Sequence, residues 1–400
     1  MDLTTGCPFW PIAAGLLATY PPLDRNVTCD VVIIGGGMTG GFVAHALTEA
    51  GVNVVLLDKR DVGMGSTASC TGLLQYEIDT PLHMLIDRIG LDKAVRSYLL
   101  CLGAIDKLDD LTARLDDRCG FSRRKSLYLA SHARDVASLE KEHAARVACG
   151  IRIDLLNSRD VRASFPFTAP AALLSHDAGE IDAYRLTHAL LRAATAKGFR
   201  VFDRTRVTTI DHGKRSSIVH TDRGARVSAR RVVFATGYET RRYLRDPRVK
   251  LRTTYALASE PIATFDGWTD RCLIWETKRP YFYARTTDDG RVMIGGGDED
   301  FINPDDHAEL LPRKESYLKR RFGKLFPSIP LETAYRWAGV FGESDDGLPF
   351  IGDCARVPNS YFAVGYGGNG ITYSLLAGEI IRDLFLQRRN PDAGLFCFDR

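Results

Sequence analysis

Hydrophobic positions along the chain change period from one stretch to the next, and the changes mark elements. Asp30–Ile34 is a short, almost continuous apolar run, the pattern of a strand buried on both faces. Glycines follow at once. From about Met38 to Ala50, Phe42, Val43, Ala46 and Leu47 share one helix face, and Gly51 stands where a C-cap belongs. Asn53–Leu57 reads as a second buried strand. Strand, helix and strand in that order predict a parallel sheet.

The middle of the chain is mixed. Helical periodicity covers Asp92–Asp117, Arg134–Ala148 and Tyr184–Lys197, the last ended by Gly198. Short strands are predicted at Val201–Phe202, Val207–Ile210, Ser217–His220 and Arg231–Ala235. From Thr253 to Gly295 the pattern turns β-rich, with Tyr281–Tyr283 and Val292–Ile294 joined by the turn residues Asp288, Asp289 and Gly290. A helix over about His307–Phe322, a strand at Tyr361–Val364, a glycine-rich turn and a last helix over about Thr372–Leu386 complete the chain. The βαβ signals thus sit at both ends and in the middle, around the β-rich part. They predict an α/β, Rossmann-type nucleotide domain built from residues 1–85, 150–245 and 335–400, with 1–27 as a surface arm. An inserted α+β domain, 86–149 and 246–334, carries a large mixed or antiparallel sheet.

Composition narrows the class. With 400 residues, 45% hydrophobic and 26% charged, the chain can bury a large core over two domains. Its 53 basic and 50 acidic residues nearly cancel, which gives no electrostatic reason to expect nucleic acid. The basic stretch Arg223–Arg252 is interleaved with apolar residues and reads as a solvated face. Nine cysteines, an odd number with no CxxC pair, argue against a disulfide framework or zinc site, and fit a reducing cytoplasm. Apolar Pro8–Leu23 lacks a basic leader and is interrupted by prolines, so it reads as the arm rather than a signal peptide. No run is long enough to predict a membrane span. No metal site is expected, because the histidines, His83, His176, His188 and His220 among them, are scattered without ligand spacing.

The chemistry lies in the glycines. Gly35, Gly37 and Gly40 form GxGxxG between the first strand and its helix, with Met38 and Thr39 opening the helix. Gly35 permits the turn, Gly37 lets backbone approach a pyrophosphate, and Gly40 lets helix pack on strand. Asp58, at the end of the second strand, stands where a carboxylate accepts ribose hydroxyls, which disfavours a 2′-phosphate. A second strand-to-glycine crossover ends at Gly237, and a third glycine turn, Gly365–Gly370, opens the last helix. A helix end there would favour the reduced, anionic edge of a flavin ring.

These motifs resemble the D-amino-acid-oxidase and sarcosine-oxidase family of FAD-dependent oxidoreductases. The match runs through Asp30–Gly51, Leu56–Ser69, the Ala235–Gly237 strand end, Asp346–Asp353 and Tyr361–Glu379. The resemblance implies non-covalent FAD held by Gly35, Gly37, Met38, Thr39, Gly40, Asp58, Lys59, Ser66, Thr67, Ala68, Val207, Gly237, Gly367, Gly368, Asn369, Gly370 and Ile371. It implies oxidation of an amine or amino-acid derivative, with hydride leaving a carbon next to nitrogen and oxygen or another acceptor taking the electrons.

The chain also departs from the family. Gly339–Glu343, upstream of the Asp346 motif, lacks the arginine that holds a substrate carboxylate in amino-acid oxidases. Positions basic in the sarcosine-type branch read Gln75 and Thr372, the flavin-linking cysteine is replaced near Gly339, and the oxygen-site lysine is missing near Met293. Either Arg285 or Arg336 supplies a cation, or the substrate lacks an exposed carboxylate. Glu77 either pairs with an ammonium group or is a surface or capping carboxylate. Tyr255, Tyr281, Tyr283 and Trp337 either wall the substrate site beside Gln75 and Glu77 or are ordinary core aromatics. Two other functions share these motifs: an FAD-dependent 2-hydroxy-acid dehydrogenase, and a flavin-binding, non-catalytic subunit of a larger complex.

Overall fold

The computed structural model describes residues 4–301 and 304–400. Its strands fall into two sheets. In the eight-stranded sheet, Val27–Ile34 lies at the centre between parallel Val54–Leu57 and Arg226–Phe234, with Arg200–Phe202 and Ser360–Val364 outside them. Val31, Val32 and Ile33 have no exposed surface, which is why the run shows no polar alternation. Phe350–Asp353 closes one edge antiparallel, and the antiparallel pair Val207–His212 and Ser217–Thr221 extends from Arg226–Phe234.

Helix Met38–Glu49 covers this sheet together with Ala183–Thr195 and Gly370–Phe385. A Cβ at Gly378 would stand 2.9 Å from the Phe42 carbonyl oxygen, so glycine sets how closely the first and last of these helices pack. Phe42, Leu47, Leu190, Ile371 and Leu375 form the core between them. Helix Leu91–Arg114 adds Ala94, Tyr98 and Ile105 to the same core.

The ten-stranded sheet runs Thr4–Gly6, Thr333–Ser344, Val249–Ser259, Val292–Asp300, Phe282–Thr286, Leu273–Glu276, Ser122–Leu129, Ala171–Glu180 and Leu73–Leu74, with Ile153–Asn157 also paired to Ala171–Glu180. Its pairs are antiparallel except Leu273–Glu276 with Ser122–Leu129, so the sheet is mixed. Helix Pro304–Leu325 packs Leu318 and Phe322 on one face, against Tyr255, Leu257 and Ile294. No helix among the described residues is long and apolar enough to cross a membrane.

The change of sheet does not fall at the expected boundaries. Ile153–Asn157, Ala171–Glu180 and Thr333–Ser344 belong to the ten-stranded sheet, not the nucleotide sheet. Ala171–Glu180 contains no β-branched residue and carries Asp177 and Gly179, so nothing in its pattern marks a strand. Helix Leu91–Arg114, expected with the inserted domain, joins the nucleotide-side core. The start of the arm is also built in: Thr4–Gly6 pairs with Gly339, Ala338 and Trp337, and Phe9 and Trp10 of helix Phe9–Ala14 are buried.

Candidate active site

Between the two sheets lies a cavity of about 750 Å³. On one side it meets the carboxyl ends of the parallel strands, at Ile34, Leu57, Ala235 and Val364, where open α/β sheets bind ligands. On the other it meets the ten-stranded sheet, at Thr254, Trp275, Tyr283 and Gly339.

Backbone shapes the first side. Gly35 has φ +108, and a Cβ there would lie 2.3 Å from the Ala235 carbonyl oxygen. A Cβ at Gly40 would lie 2.0 Å from the Gly35 carbonyl oxygen, so Gly40 brings the helix onto the turn without itself lining the cavity. Gly37, Met38 and Thr39 do line it, and the Met38 amide donates to Thr67 Oγ1 at 2.9 Å, tying the turn to the Ser66–Ser69 helix. Asp58 accepts the amides of Gly36 at 2.6 Å and Arg60 at 2.8 Å; burial pushes its carboxyl up to about 6, against the pull of these two bonds. Lys59 Nζ meets Glu239 at 2.6 Å. Ser66, Val207, Gly237, Gly367, Gly368, Asn369 and Gly370 complete this wall. At Gly65 and Gly370 a Cβ would meet nothing within 4 Å, so the cavity reaches bare backbone there. Ala68 and Ile371 are buried behind the wall and do not line the cavity.

Side chains shape the other side. Asn369 Nδ2 donates to the carbonyls of Gln75 and Glu77, 2.9 Å each, and so pins this segment to the start of the last helix. Gln75 Nε2 and Trp275 Nε1 both donate to Ser126 Oγ, at 3.0 and 3.1 Å. Glu77 is only 4% exposed. Its Oε1 lies 3.4 Å from Arg146 Nη1, and its Oε2 has no partner. Arg146 lies over the rings of Tyr76 and Tyr98 and donates to Glu142 Oε1 at 2.7 Å. Burial raises the Glu77 carboxyl despite Arg146. Burial acts on Glu142 too, but Arg146 and His83 outweigh it and hold Glu142 down to about 2. Tyr281 and Tyr283 both line the cavity, ring centres 6.0 Å apart.

Four of the expected residues stand elsewhere. Strand alternation points Thr254 at the cavity and Tyr255 at the opposite face, where its hydroxyl donates to Glu299 at 3.1 Å. Trp337 is buried against Phe9 and Trp10 and donates to the Ser69 carbonyl at 3.0 Å. Arg285 is spent on backbone, donating to the carbonyls of Gly72 at 2.7 Å and Ile181 at 3.1 Å. Arg336 is exposed and paired with Glu315. Thr372 caps back to the Asn369 carbonyl at 3.0 Å, and Met293 is fully buried; neither lines the cavity. Missed by sequence reasoning were Asp79, Thr254 and Trp275. Asp79 lies two positions past Glu77, the spacing that returns an extended side chain to the same face, and this signal was available.

A model of the FAD dependent oxidoreductase family, DAO, matches residues 30–384. The chain belongs to this family. This flavoenzyme is 28% identical over 395 residues to gamma-glutamylputrescine oxidoreductase of Escherichia coli K12, covering 94% of this chain and 88% of that protein. Among solved structures it resembles glycine oxidase from Geobacillus kaustophilus, with TM-score 0.75 and 20% identity over 94% of this chain and 100% of that one. L-amino acid deaminase from Proteus myxofaciens superposes with TM-score 0.79 and 16% identity over 100% and 99% of the two chains. These likenesses show the fold, and the family match supplies the cofactor, FAD. The cavity fits it: one elongated space joins a GxGxxG turn, a carboxylate at the second strand end and a helix start lined by bare glycine backbone.

Proposed function

We propose that the enzyme oxidises an amine or amino-acid derivative at a carbon bearing nitrogen, with non-covalent FAD. In this reading Gly35, Gly37, Met38 and Thr39 hold the pyrophosphate, Asp58 and Lys59 the ribose end beside Val207, and Ser66, Thr67, Gly237 and Gly367–Gly370 the flavin end. Gly40, Ala68 and Ile371 shape that wall from behind it. Bound FAD would supply the two-electron acceptor for the hydride that leaves the carbon next to nitrogen.

The carrying observation is the charge of the cavity wall. Its cationic residues, Lys59, Arg60, Arg206 and Arg242, belong to the segments around Asp58, Val207 and Glu239. The wall around Gln75 offers Glu77, Asp79, Tyr281, Tyr283 and Trp275 instead. A buried carboxylate ligand without a cation is costly, whereas an ammonium group finds partners there. In this reading the Glu77 carboxylate, which lines the cavity, accepts a hydrogen bond from that ammonium, and the tyrosine and tryptophan rings exclude water from the reacting carbon. The gamma-glutamylputrescine oxidoreductase similarity supports an amine over a 2-hydroxy acid. The electron acceptor is oxygen or a second carrier, and comparing turnover in air with turnover on an artificial acceptor decides which. Hydride removal is tested with an amine deuterated at the carbon next to nitrogen. Anaerobic bleaching of the flavin should slow markedly; equal rates for the two isotopologues contradict the proposed bond cleavage.

A further inference from the structure

A second cavity, of about 510 Å³, adjoins the first; Asp79, Tyr281 and Phe341 line both. Its walls also carry Asp298, Glu343, Asp345, Arg252 and Arg279. Most of these charges are already matched. Arg252 Nε binds Glu343 at 2.8 Å, and Lys250 Nζ reaches from outside to Asp345 at 2.8 Å. Arg279 is exposed, lies 4.7 Å from the centre of the Tyr281 ring and donates to the Glu276 carbonyl at 3.2 Å.

The carboxylates of Asp79 and Asp298 remain. Asp79 Oδ2 accepts the Gly368 amide at 2.8 Å, and the point where a Gly368 Cβ would stand is 3.3 Å from Asp79 Oδ1 and 3.5 Å from the Tyr281 hydroxyl. Asp298 Oδ1 is sealed from solvent and has no hydrogen-bond partner. One step further in, the buried Glu77 lines the first cavity, and its Oε2 also has no hydrogen-bond partner. Carboxylates with an unpartnered oxygen thus line both cavities, Glu77 the first and Asp298 the second, with the Tyr281 ring shared by the two. Burial raises the Asp79 carboxyl and pushes Asp298 up to about 6, outweighing the pull of the nearby Arg279 on both and of a hydrogen bond from Thr254 on Asp298.

We propose that this second cavity binds a distal ammonium group of the substrate, between Asp79 and Asp298 and against the Tyr281 ring, so that the enzyme selects diamine- or polyamine-type compounds whose other amino end is oxidised in the first cavity. Two carboxylates and an aromatic face are the partners a desolvated ammonium needs. The proposal rests on the amine-oxidising reading above. The spacing between the two nitrogens of a good substrate is set by the passage between the cavities.

The test compares kcat/KM for an alkyl diamine, the alkyl monoamine of equal length and the matching ω-amino acid, using flavin-loaded enzyme. The diamine should exceed both, and Asp298→Asn should reduce the diamine preference by about 10- to 100-fold, the loss expected for one charge-assisted hydrogen bond. Asp79→Asn, which keeps an acceptor for the Gly368 amide, should reduce it likewise. Following the rate of flavin bleaching against diamine concentration in oxygen-free enzyme gives the same comparison for the reductive half-reaction alone. Glu140→Gln, at an exposed position on helix Val136–Ala148, should leave the preference intact. A monoamine that bleaches the flavin as well as the diamine does overturns the distal site and leaves the amine reading standing. So does a preference that survives both aspartate substitutions. Preference for the ω-amino acid would transfer the site to Arg279 and overturn the proposal. If no amine bleaches the flavin, both readings fall.

Discussion

The two ends of the main cavity are built differently. At the nucleotide end much of the ligand-facing surface is backbone, and the first glycine turn has almost no room for added atoms: a Cβ at Gly35, or at Gly40 behind it, would fall within 2.3 Å of a carbonyl oxygen. At the substrate end the surface is side chains, Gln75, Glu77, Tyr281, Tyr283 and Trp275, held by bonds from distant elements such as Asn369, Ser126 and Arg146. A site made of backbone binds what many members of a fold bind, because turn geometry is set locally. A site made of side chains is set by which strands happen to meet, and so carries specificity.

Substitutions can break this contrast, and the largest effect is expected at the backbone end. Gly35→Ala should abolish retention of FAD, read as the loss of flavin absorbance after desalting; a yellow protein with native flavin content would mean the turn is not a constraint. Next is Glu142→Gln, which leaves Arg146 buried against Glu77 alone. It should lower stability by about 3–5 kcal/mol in urea unfolding, the cost of an uncompensated buried charge. Because the Glu142 carboxyl is held near 2 in the fold, below its ordinary 4.5, its contribution is present above that ordinary value and is lost as pH falls from about 4.5 to about 2. The variant should therefore lack that part of the acid destabilisation.

Smaller effects are expected at the substrate end, with FAD kept. Glu77→Gln should raise KM for an amine about 10-fold, as one charge-assisted contact implies; unchanged saturation would remove Glu77 from the site. Smallest is Arg336→Gln, expected to change kcat/KM less than about two-fold, since exposed ion pairs contribute little. A large loss there would restore Arg336 as a carboxylate ligand.

The same contrast decides what could be seen in the sequence. The Gly35–Gly40 turn, Asp58 and the Gly365–Gly370 turn were legible because glycine spacing and strand periodicity are local. Tyr281 and Tyr283, two positions apart in one extended run, both line the cavity. Tyr255 and Trp337 do not, because which face of a strand meets the cavity, and whether Phe9 and Trp10 cover it, depends on pairings between residues hundreds of positions apart. Arg285 looked available, but its guanidinium is consumed by carbonyls of Gly72 and Ile181, partners without a side-chain signature. The strand Ala171–Glu180 was invisible for a third reason: it is held by its neighbours on both sides rather than by its own propensity.

The most direct measurement is anaerobic bleaching of the bound flavin by a panel of simple amines, diamines, N-methyl and D-amino acids, and 2-hydroxy acids. Bleaching by amines without a carboxylate, and none by 2-hydroxy acids, is the predicted result. Bleaching by 2-hydroxy acids alone would contradict it, and would mean that a cation absent from the cavity wall around Gln75 serves the substrate.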